Sequence, residues 1–79
     1  MKWGFRLNQN AVRGLYQLDR ELVGNIWAAL HKLAIDPDAA SLQTDEDDPS
    51  LYWIAVEGDF TVWFELFDEQ HVIRVVKIG

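Results

Sequence analysis

The sequence contains no cysteine and only two prolines in its 79 residues. The absence of cysteine excludes disulfides and thiolate metal sites, and it fits a reducing compartment. No run approaches the roughly 20 apolar residues of a membrane span, and the first residues lack the apolar core of a signal peptide. We therefore expect a cytoplasmic protein without a membrane segment. A chain of this length predicts one small domain over residues 1–79.

Basic residues are also few. The chain has seven Lys and Arg against thirteen Asp and Glu, which gives a net charge of -6. The basic residues are scattered and form no run; they are Lys2, Arg6, Arg13, Arg20, Lys32, Arg74 and Lys77. Because binding to nucleic acid depends largely on cations that displace phosphate counterions, this balance argues against a surface that attracts nucleic acid as a whole.

The last third of the chain, residues 51–79, shows alternating apolar residues, which predict three strands. Gly58 and Asp59 break the first alternation and predict a hairpin turn, and residues 68–70 predict a second one. If each turn is a three-residue loop, even-numbered residues share one face and odd-numbered residues share the other. The even-numbered face is apolar apart from Arg74 and is predicted to be buried. A slip of one residue would exchange the two faces.

The first half of the chain predicts one strand and two helices. Residues 3–7 alternate like a strand, and apolar residues three or four apart then predict a helix to about Leu18 and a longer one that Pro37 ends. Gly14 and Gly24 lie inside the helices, where each costs about 1 kcal/mol relative to alanine, so they predict close packing between the helices. Residues able to cap the helices are Asn8 or Asn10 for the first and Asp19 for the second.

These elements define an α+β fold of order β-α-α-β-β-β. A helical hairpin is predicted to pack on one face of a mainly antiparallel four-stranded sheet. The loop before the second strand holds an acidic run at residues 45–48. It lacks the glycine and glutamate positions of an EF-hand, so we interpret it as a solvated loop. No metal site and no cofactor site is predicted.

Several stretches together resemble a known family. They are Trp-Gly-Phe-Arg-Leu at 3–7 leading into Ala11 and Leu15, residues 30–37, residues 52–65 with Gly-Asp-Phe at the turn, and residues 73–79. The chain resembles the RelE/ParE superfamily of type II toxin-antitoxin toxins over nearly its whole length. The resemblance implies a ribosome-dependent mRNA endonuclease in the RelE branch, a gyrase inhibitor in the ParE branch, and neutralisation by a wrapped antitoxin.

The resemblance also identifies residues that this chain lacks. RelE-like nucleases place basic residues at the positions of Trp53 and Ala55, and an arginine at the position of Thr61. Those cations hold the phosphate and stabilise the charge that develops when a ribose 2'-hydroxyl attacks it. The resemblance therefore implies a divergent translation-inhibiting toxin fold that acts through protein binding. Its partner would be an antitoxin-like protein or a second copy of the chain.

An alternative interpretation retains the nuclease activity. In it, the chain is a ribosome-dependent mRNA endoribonuclease that uses the remaining cations Lys2, Arg6 and Lys77, with the ribosome and mRNA as partners. His71 beside Glu69 is a further acid-base candidate. The structural alternative for His71 is a solvated residue at the mouth of a hairpin.

The odd-numbered face is the predicted interaction surface. Trp53, Trp63, Ile73 and Val75 would form one apolar strip on it, with Trp53 and Val75 on either side of Trp63. Monomeric proteins seldom expose strips of this size, and tryptophan is enriched at binding hot spots. In the competing interpretation, residues 34–50 or the N-terminal residues cover the strip and make it a second small core.

Overall fold

The computed structural model describes residues 3–36, 42–57 and 59–79. In these residues the chain forms, in order, β1 (Gly4–Leu7), α1 (Gln9–Tyr16), α2 (Arg20–Ile35), β2 (Gln43–Thr44), β3 (Tyr52–Val56), β4 (Phe60–Phe67) and β5 (Val72–Ile78). The strands form one sheet of order β1-β5-β4-β3-β2. β1 is parallel to β5, and the other neighbours are antiparallel. The α+β class is confirmed, but the sheet has five strands and is mixed, so the prediction of four strands was wrong.

The additional strand is the two-residue β2. Gln43 pairs with Trp53 and Thr44 with Tyr52, and the Asp45 amide donates a hydrogen bond to the Leu51 carbonyl over 2.8 Å. A strand this short has no alternation that a sequence pattern can detect. β2 covers the outer edge of β3 and holds the acidic segment against the sheet.

Both helices begin at residues that were expected to cap them. Asn8 is the N-cap of α1, and its Oδ1 accepts a hydrogen bond from the Ala11 amide over 2.9 Å. Asp19 is the N-cap of α2 but makes no capping bond through its side chain. α2 ends at Ile35, and Pro37, predicted to end it, lies outside the described residues.

The helices cover one face of the sheet, and the core fills the space between them. Its buried members are Ala11, Ile26, Leu30, Leu33 and Ala34 from the helices, and Val56, Val62, Phe64, Ile73, Val75 and Ile78 from the strands. In β3 and β4 the even-numbered residues face this core, as the alternation predicts. The predicted turn between these strands is also confirmed in length, since Val56 pairs with Phe60.

In the first part of β5 the predicted faces are wrong. Ile73 and Val75 are completely buried, while Arg74 between them is exposed. The reason is the second turn, which contains four residues because Phe67 pairs with Val72. One residue more than predicted moves the side chains of this stretch to the opposite faces.

Further along β5 the residues again lie on the faces that the alternation predicts. Trp63 pairs with Lys77 and Phe64 pairs with Val75, so Val76 is an extra residue that forms a β-bulge. After the bulge, Ile78 faces the core opposite Val62. β5 therefore contributes both odd-numbered and even-numbered residues to the core.

The two helical glycines have different surroundings. A Cβ atom at Gly14 would lie 2.8 Å from the carbonyl oxygen of Ile78, so α1 lies very close to β5. The close packing expected at Gly14 exists, but against a strand instead of the other helix. Apart from its chain neighbours and the backbone of its own helix, a Cβ atom at Gly24 would have no heavy atom of the described residues within 4 Å, so the prediction of close packing at Gly24 was wrong.

The glycines form a matched pair of test sites. Gly24→Ala should raise the free energy of unfolding by about 0.5–1 kcal/mol, because alanine favours the helix and meets no obstacle. Gly14→Ala should lower it, because the new methyl group pushes α1 away from the backbone of β5. Urea unfolding of both variants measures the difference, and an equal gain at both sites would contradict the close contact.

The register of β5 can be tested at two successive residues. Ile73→Ala should lower the free energy of unfolding by about 2–5 kcal/mol, since it leaves a cavity in the core. Arg74→Ala should change it by less than about 1 kcal/mol, since it removes a surface ion pair. Both values come from urea unfolding followed by tryptophan fluorescence. A larger loss of unfolding free energy for Arg74→Ala than for Ile73→Ala would contradict the observed register and support the predicted one, in which Arg74 faces the core.

Candidate functional site

The open face is the sheet surface opposite the helices, and it carries the candidate site. Pairing between the strands assigns its members: Arg6 of β1, Trp53 and Ala55 of β3, Thr61, Trp63, Glu65 and Phe67 of β4, and Val72, Arg74 and Lys77 of β5. Several of these side chains are exposed or half-buried. The core lies on one side of the sheet, so the side chains on the other side are accessible to a partner.

Two tryptophans occupy the middle of the open face. Trp53 and Trp63 are direct cross-strand neighbours, as predicted, and both are half-buried. The Nζ atom of Lys77 lies 4.7 Å from the centroid of the Trp63 ring, which is the geometry of a cation-π contact. The prediction that Val75 lies beside Trp63 was wrong, because the bulge places Lys77 there.

An acidic groove adjoins the tryptophans. It has a volume of about 380 Å³ and is lined by Thr44, Asp45, Glu46, Asp47, Trp53, Thr61 and Trp63. Asp48 fixes the end of this segment, because its Oδ1 accepts hydrogen bonds from the amide and the hydroxyl of Ser50 over 3.1 and 2.6 Å. The acidic run is therefore folded beside the sheet. Its carboxylates give this part of the open face a negative potential.

A basic groove lies at the other side of the open face. It has a volume of about 550 Å³, and its lining includes Arg6, Asn8, Phe67 and Arg74. Arg6 and Arg74 are level with each other on β1 and β5. Nη1 of Arg74 lies 3.6 Å from Oε1 of Glu65. A sequence pattern could not indicate this pair, because the two arginines are far apart in the chain and meet only through the parallel pairing.

The structure separates the residues predicted for binding. Trp53 and Trp63 lie together on the open face, whereas Ile73 and Val75 belong to the core and are unavailable to a partner. The predicted apolar strip is thus reduced to its tryptophan half. The competing interpretation placed residues 34–50 or the N-terminal residues over the strip; of these, residues 44–47 line the groove beside the tryptophans, while residues 1–2 and 37–41 lie outside the described residues.

The residues predicted for catalysis do not form one cluster. Lys77 contacts Trp63 near the middle of the open face, Arg6 is in the basic groove, and Lys2 lies outside the described residues. His71 closes the turn before β5 with a φ of 54°, and its ring packs edge-on against Trp3 at 5.3 Å. Glu69 is exposed in the same turn and forms no ion pair with His71 in the described part of the chain.

Residues 3–36, 42–57 and 59–79 contain neither a metal site nor a membrane-spanning helix. No group of three or more side chains of His, Asp or Glu there could hold a metal ion. Within the same ranges, neither helix is long and apolar enough to cross a membrane.

Solved structures share this arrangement of elements. The chain is similar to one in the toxin-antitoxin complex RelBE2 from Mycobacterium tuberculosis, with a TM-score of 0.85, 14% identity, and coverage of 100% of this chain and 98% of that one. The chain is also similar to a mutant of the E. coli toxin RelE in the free state, with a TM-score of 0.81, 17% identity, and coverage of 100% of this chain and 83% of that one. The chain has the RelE fold.

A third solved structure gives the same result. The archaeal RelE-RelB complex from Pyrococcus horikoshii OT3 has a TM-score of 0.74 at 17% identity, with coverage of 100% of this chain and 94% of that one. No family model and no curated protein matches the sequence. The resemblance seen in the sequence is therefore confirmed at the level of the RelE fold. Identity this low leaves the chemistry of the open face to be argued from this chain's own residues.

The charge of the acidic groove can be measured by quenching of tryptophan fluorescence. Neutralising it with Asp45→Asn, Glu46→Gln and Asp47→Asn together should increase quenching by iodide and decrease quenching by caesium, each by roughly a factor of two. The reason is that the carboxylates repel anions from Trp53 and Trp63 and attract cations.

A second triple variant serves as the control. Asp19→Asn, Glu21→Gln and Glu69→Gln remove the same net charge away from the groove, so quenching by either ion should change little. If both triple variants change quenching equally, the effect reflects total charge and the groove has no local potential.

Proposed function

We propose that this protein is a RelE-type toxin of a toxin-antitoxin pair that acts by binding a protein through the open face. Its expected location is the cytoplasm. In this proposal the RelE fold serves as a scaffold, Trp53 and Trp63 are the binding residues, and RNA cleavage is lost. The observation that carries the proposal is the composition of the open face, which has Trp53, Ala55 and Thr61 where RelE-like nucleases are expected to have cations, and carboxylates beside the tryptophans.

The loss of cleavage follows from electrostatics. Trp53, Ala55 and Thr61 stand on the open face at the positions where the family resemblance implies basic residues. Removing one such contact from a known enzyme costs roughly 100-fold to 1000-fold in rate, so the loss of three leaves almost none. The carboxylates of Asp45, Glu46 and Asp47 beside the tryptophans oppose the approach of a phosphate group still further.

An antitoxin partner is supported by the similar structures. Two of them are complexes, the toxin-antitoxin complex RelBE2 from Mycobacterium tuberculosis and the RelE-RelB complex from Pyrococcus horikoshii. If this chain has an antitoxin of the same kind, a gene next to its own encodes a protein that binds and neutralises it.

One observation favours the alternative, a surviving nuclease. Arg6, Arg74 and Lys77 all lie on the open face, and together they could hold a phosphate. Against this, Lys77 lies over the Trp63 ring and Arg74 is engaged by Glu65. The two functions differ in a single measurable property, which is cleavage of mRNA on the ribosome.

Induced expression in a bacterial host tests the proposed toxin. Expression should slow growth, co-expression of the neighbouring gene should relieve it, and Trp53→Ala should abolish the effect with the thermal midpoint nearly unchanged. Tyr16→Ala is the control, because Tyr16 is 86% exposed on α1, away from the open face. A fall of many degrees in the midpoint of Trp53→Ala would identify that tryptophan as structural and contradict a binding role.

A ribosome assay distinguishes the two functions directly. The purified protein should leave mRNA on stalled ribosomes intact, within the background of the assay, because the cations needed for phosphate chemistry are missing. Arg6→Ala and Lys77→Ala should not change that result. Strong cleavage that either substitution removes would overturn the proposal and establish the nuclease.

A further inference from the structure

The open face is positively charged at one edge and negatively charged at the other. Arg6 is level with Arg74, and Arg74 is level with Glu65. On the other side of β4 the same row continues to Leu51, which follows from the pairing of Tyr52 with Phe64, and then to Asp45, whose amide bonds to Leu51. The row thus begins with two arginines at the β1 edge and ends with a carboxylate at the β2 edge.

The next row has the same polarity. Lys77 of β5 is level with Trp63 of β4, Trp63 with Trp53 of β3, and Trp53 with Gln43 of β2. A cation therefore stands on one side of the middle strand and an aromatic ring stands on the other. Both rows are centred on β4, which has two strands on each side.

We propose that the open face binds a second copy of this chain about a two-fold axis that runs along β4. The inference rests on the proposed function, since it takes the open face to be the protein-binding surface. A two-fold axis along the middle strand places β3 of each copy against β5 of the other, and β2 against β1. Each basic edge then meets an acidic edge, and this contact occurs twice.

The rows determine which residues meet. Arg6 of each copy faces Asp45 of the second copy, because the two stand at opposite ends of one row. Lys77 faces Trp53 of the second copy, which offers a ring for a cation-π contact. Trp63 lies on the axis and packs against its own counterpart, as central hot-spot residues do in interfaces.

The charges of the open face fit a second copy better than a partner of one sign. Its cations are Arg6, Arg74 and Lys77, and its carboxylates are Asp45, Glu46, Asp47 and Glu65. A basic segment would suit only the β2 side, and an acidic one only the β1 side. Two adjacent arginines are unfavourable on a sheet, and Glu65 reaches Arg74 at 3.6 Å. A carboxylate from the second copy answers the charge of Arg6.

The size of the molecule permits such an interface. Its two larger dimensions are 33 and 29 Å, and a stable interface buries about 800 Å² on each partner. Two sheets that pack face to face with strands nearly aligned have a well-known geometry, with an angle of about 30° between them. The net charge of -6 opposes association at long range, but salt screens that repulsion beyond about 8 Å.

A charge swap tests the proposal. In analytical ultracentrifugation at about 0.15 M salt, the unmodified chain should form dimers as its concentration rises to about 500 µM. Arg6→Glu and Asp45→Arg should each weaken self-association by roughly 10-fold or more, since either one places like charges at both edge contacts. An equimolar mixture of the two variants should dimerise again as a heterodimer, because both edge contacts then join opposite charges.

Control variants place the same changes outside the interface. Arg20→Glu and Glu21→Arg on α2 should leave self-association as it is. Near-ultraviolet circular dichroism establishes that each variant is folded; should one fail, the neutral Arg6→Gln and Asp45→Asn replace the pair, and each should weaken the dimer several-fold.

Three results would overturn the proposal: a monomer over the whole concentration range, a single variant that associates like the unmodified chain, or folded variants whose mixture stays monomeric. These measurements use the purified chain alone. A failed dimer therefore leaves the growth and ribosome assays to decide the proposed function separately.

Discussion

The pairing of β4 with β5 is the constraint on which the rest of the structure depends. β5 lies between β4 and β1, so it carries the parallel edge strand, and α1 packs on its end through Gly14. Two irregular points control which side chains β5 turns toward the helices: the four-residue turn before it and the bulge at Val76. The turn buries Ile73 and Val75, and the bulge then allows Ile78 to be buried as well.

The same two irregular points decide the chemistry of the open face. With a three-residue turn and no bulge, Ile73 and Val75 would stand beside Trp63, and Arg74 would face the helices. In the observed pairing, Arg74 is level with Glu65 and Lys77 with Trp63. A surface predicted to be a wide apolar strip is therefore a narrow pair of tryptophans between basic and acidic edges. A local change in backbone pairing therefore decides whether the open face is apolar or charged.

How far the sequence could predict this depends on which local signals it contains. Gly58 and Asp59 mark the first hairpin, and its length and faces followed from them. The second turn has no glycine, and His71 adopts its positive φ without one, so nothing in the sequence indicates a fourth residue. The bulge at Val76 lies among β-branched residues that suit either face equally.

The candidate site was predictable in part for the same reason. Trp53 and Trp63 come from two strands joined by the hairpin with a clear turn, and their cross-strand pairing follows from that turn. The pairing of Arg6 with Arg74 requires the parallel position of β1 beside β5, which no short-range pattern specifies. The acidic segment lies beside the tryptophans only because β2 pairs with β3, and two residues are too few to predict a strand.

The stability of the RelE fold and the composition of the open face are physically separable in this chain. Burial of residues such as Phe64 and Ile26 on the helix side stabilises the sheet, and it makes no demand on the identity of Thr61 or Ala55 on the other side. Side chains on the open face can therefore change in charge and size at little cost to the core. Fold similarity at 14–17% identity is what such separation predicts. The function must then be decided by the charges and rings of the open face.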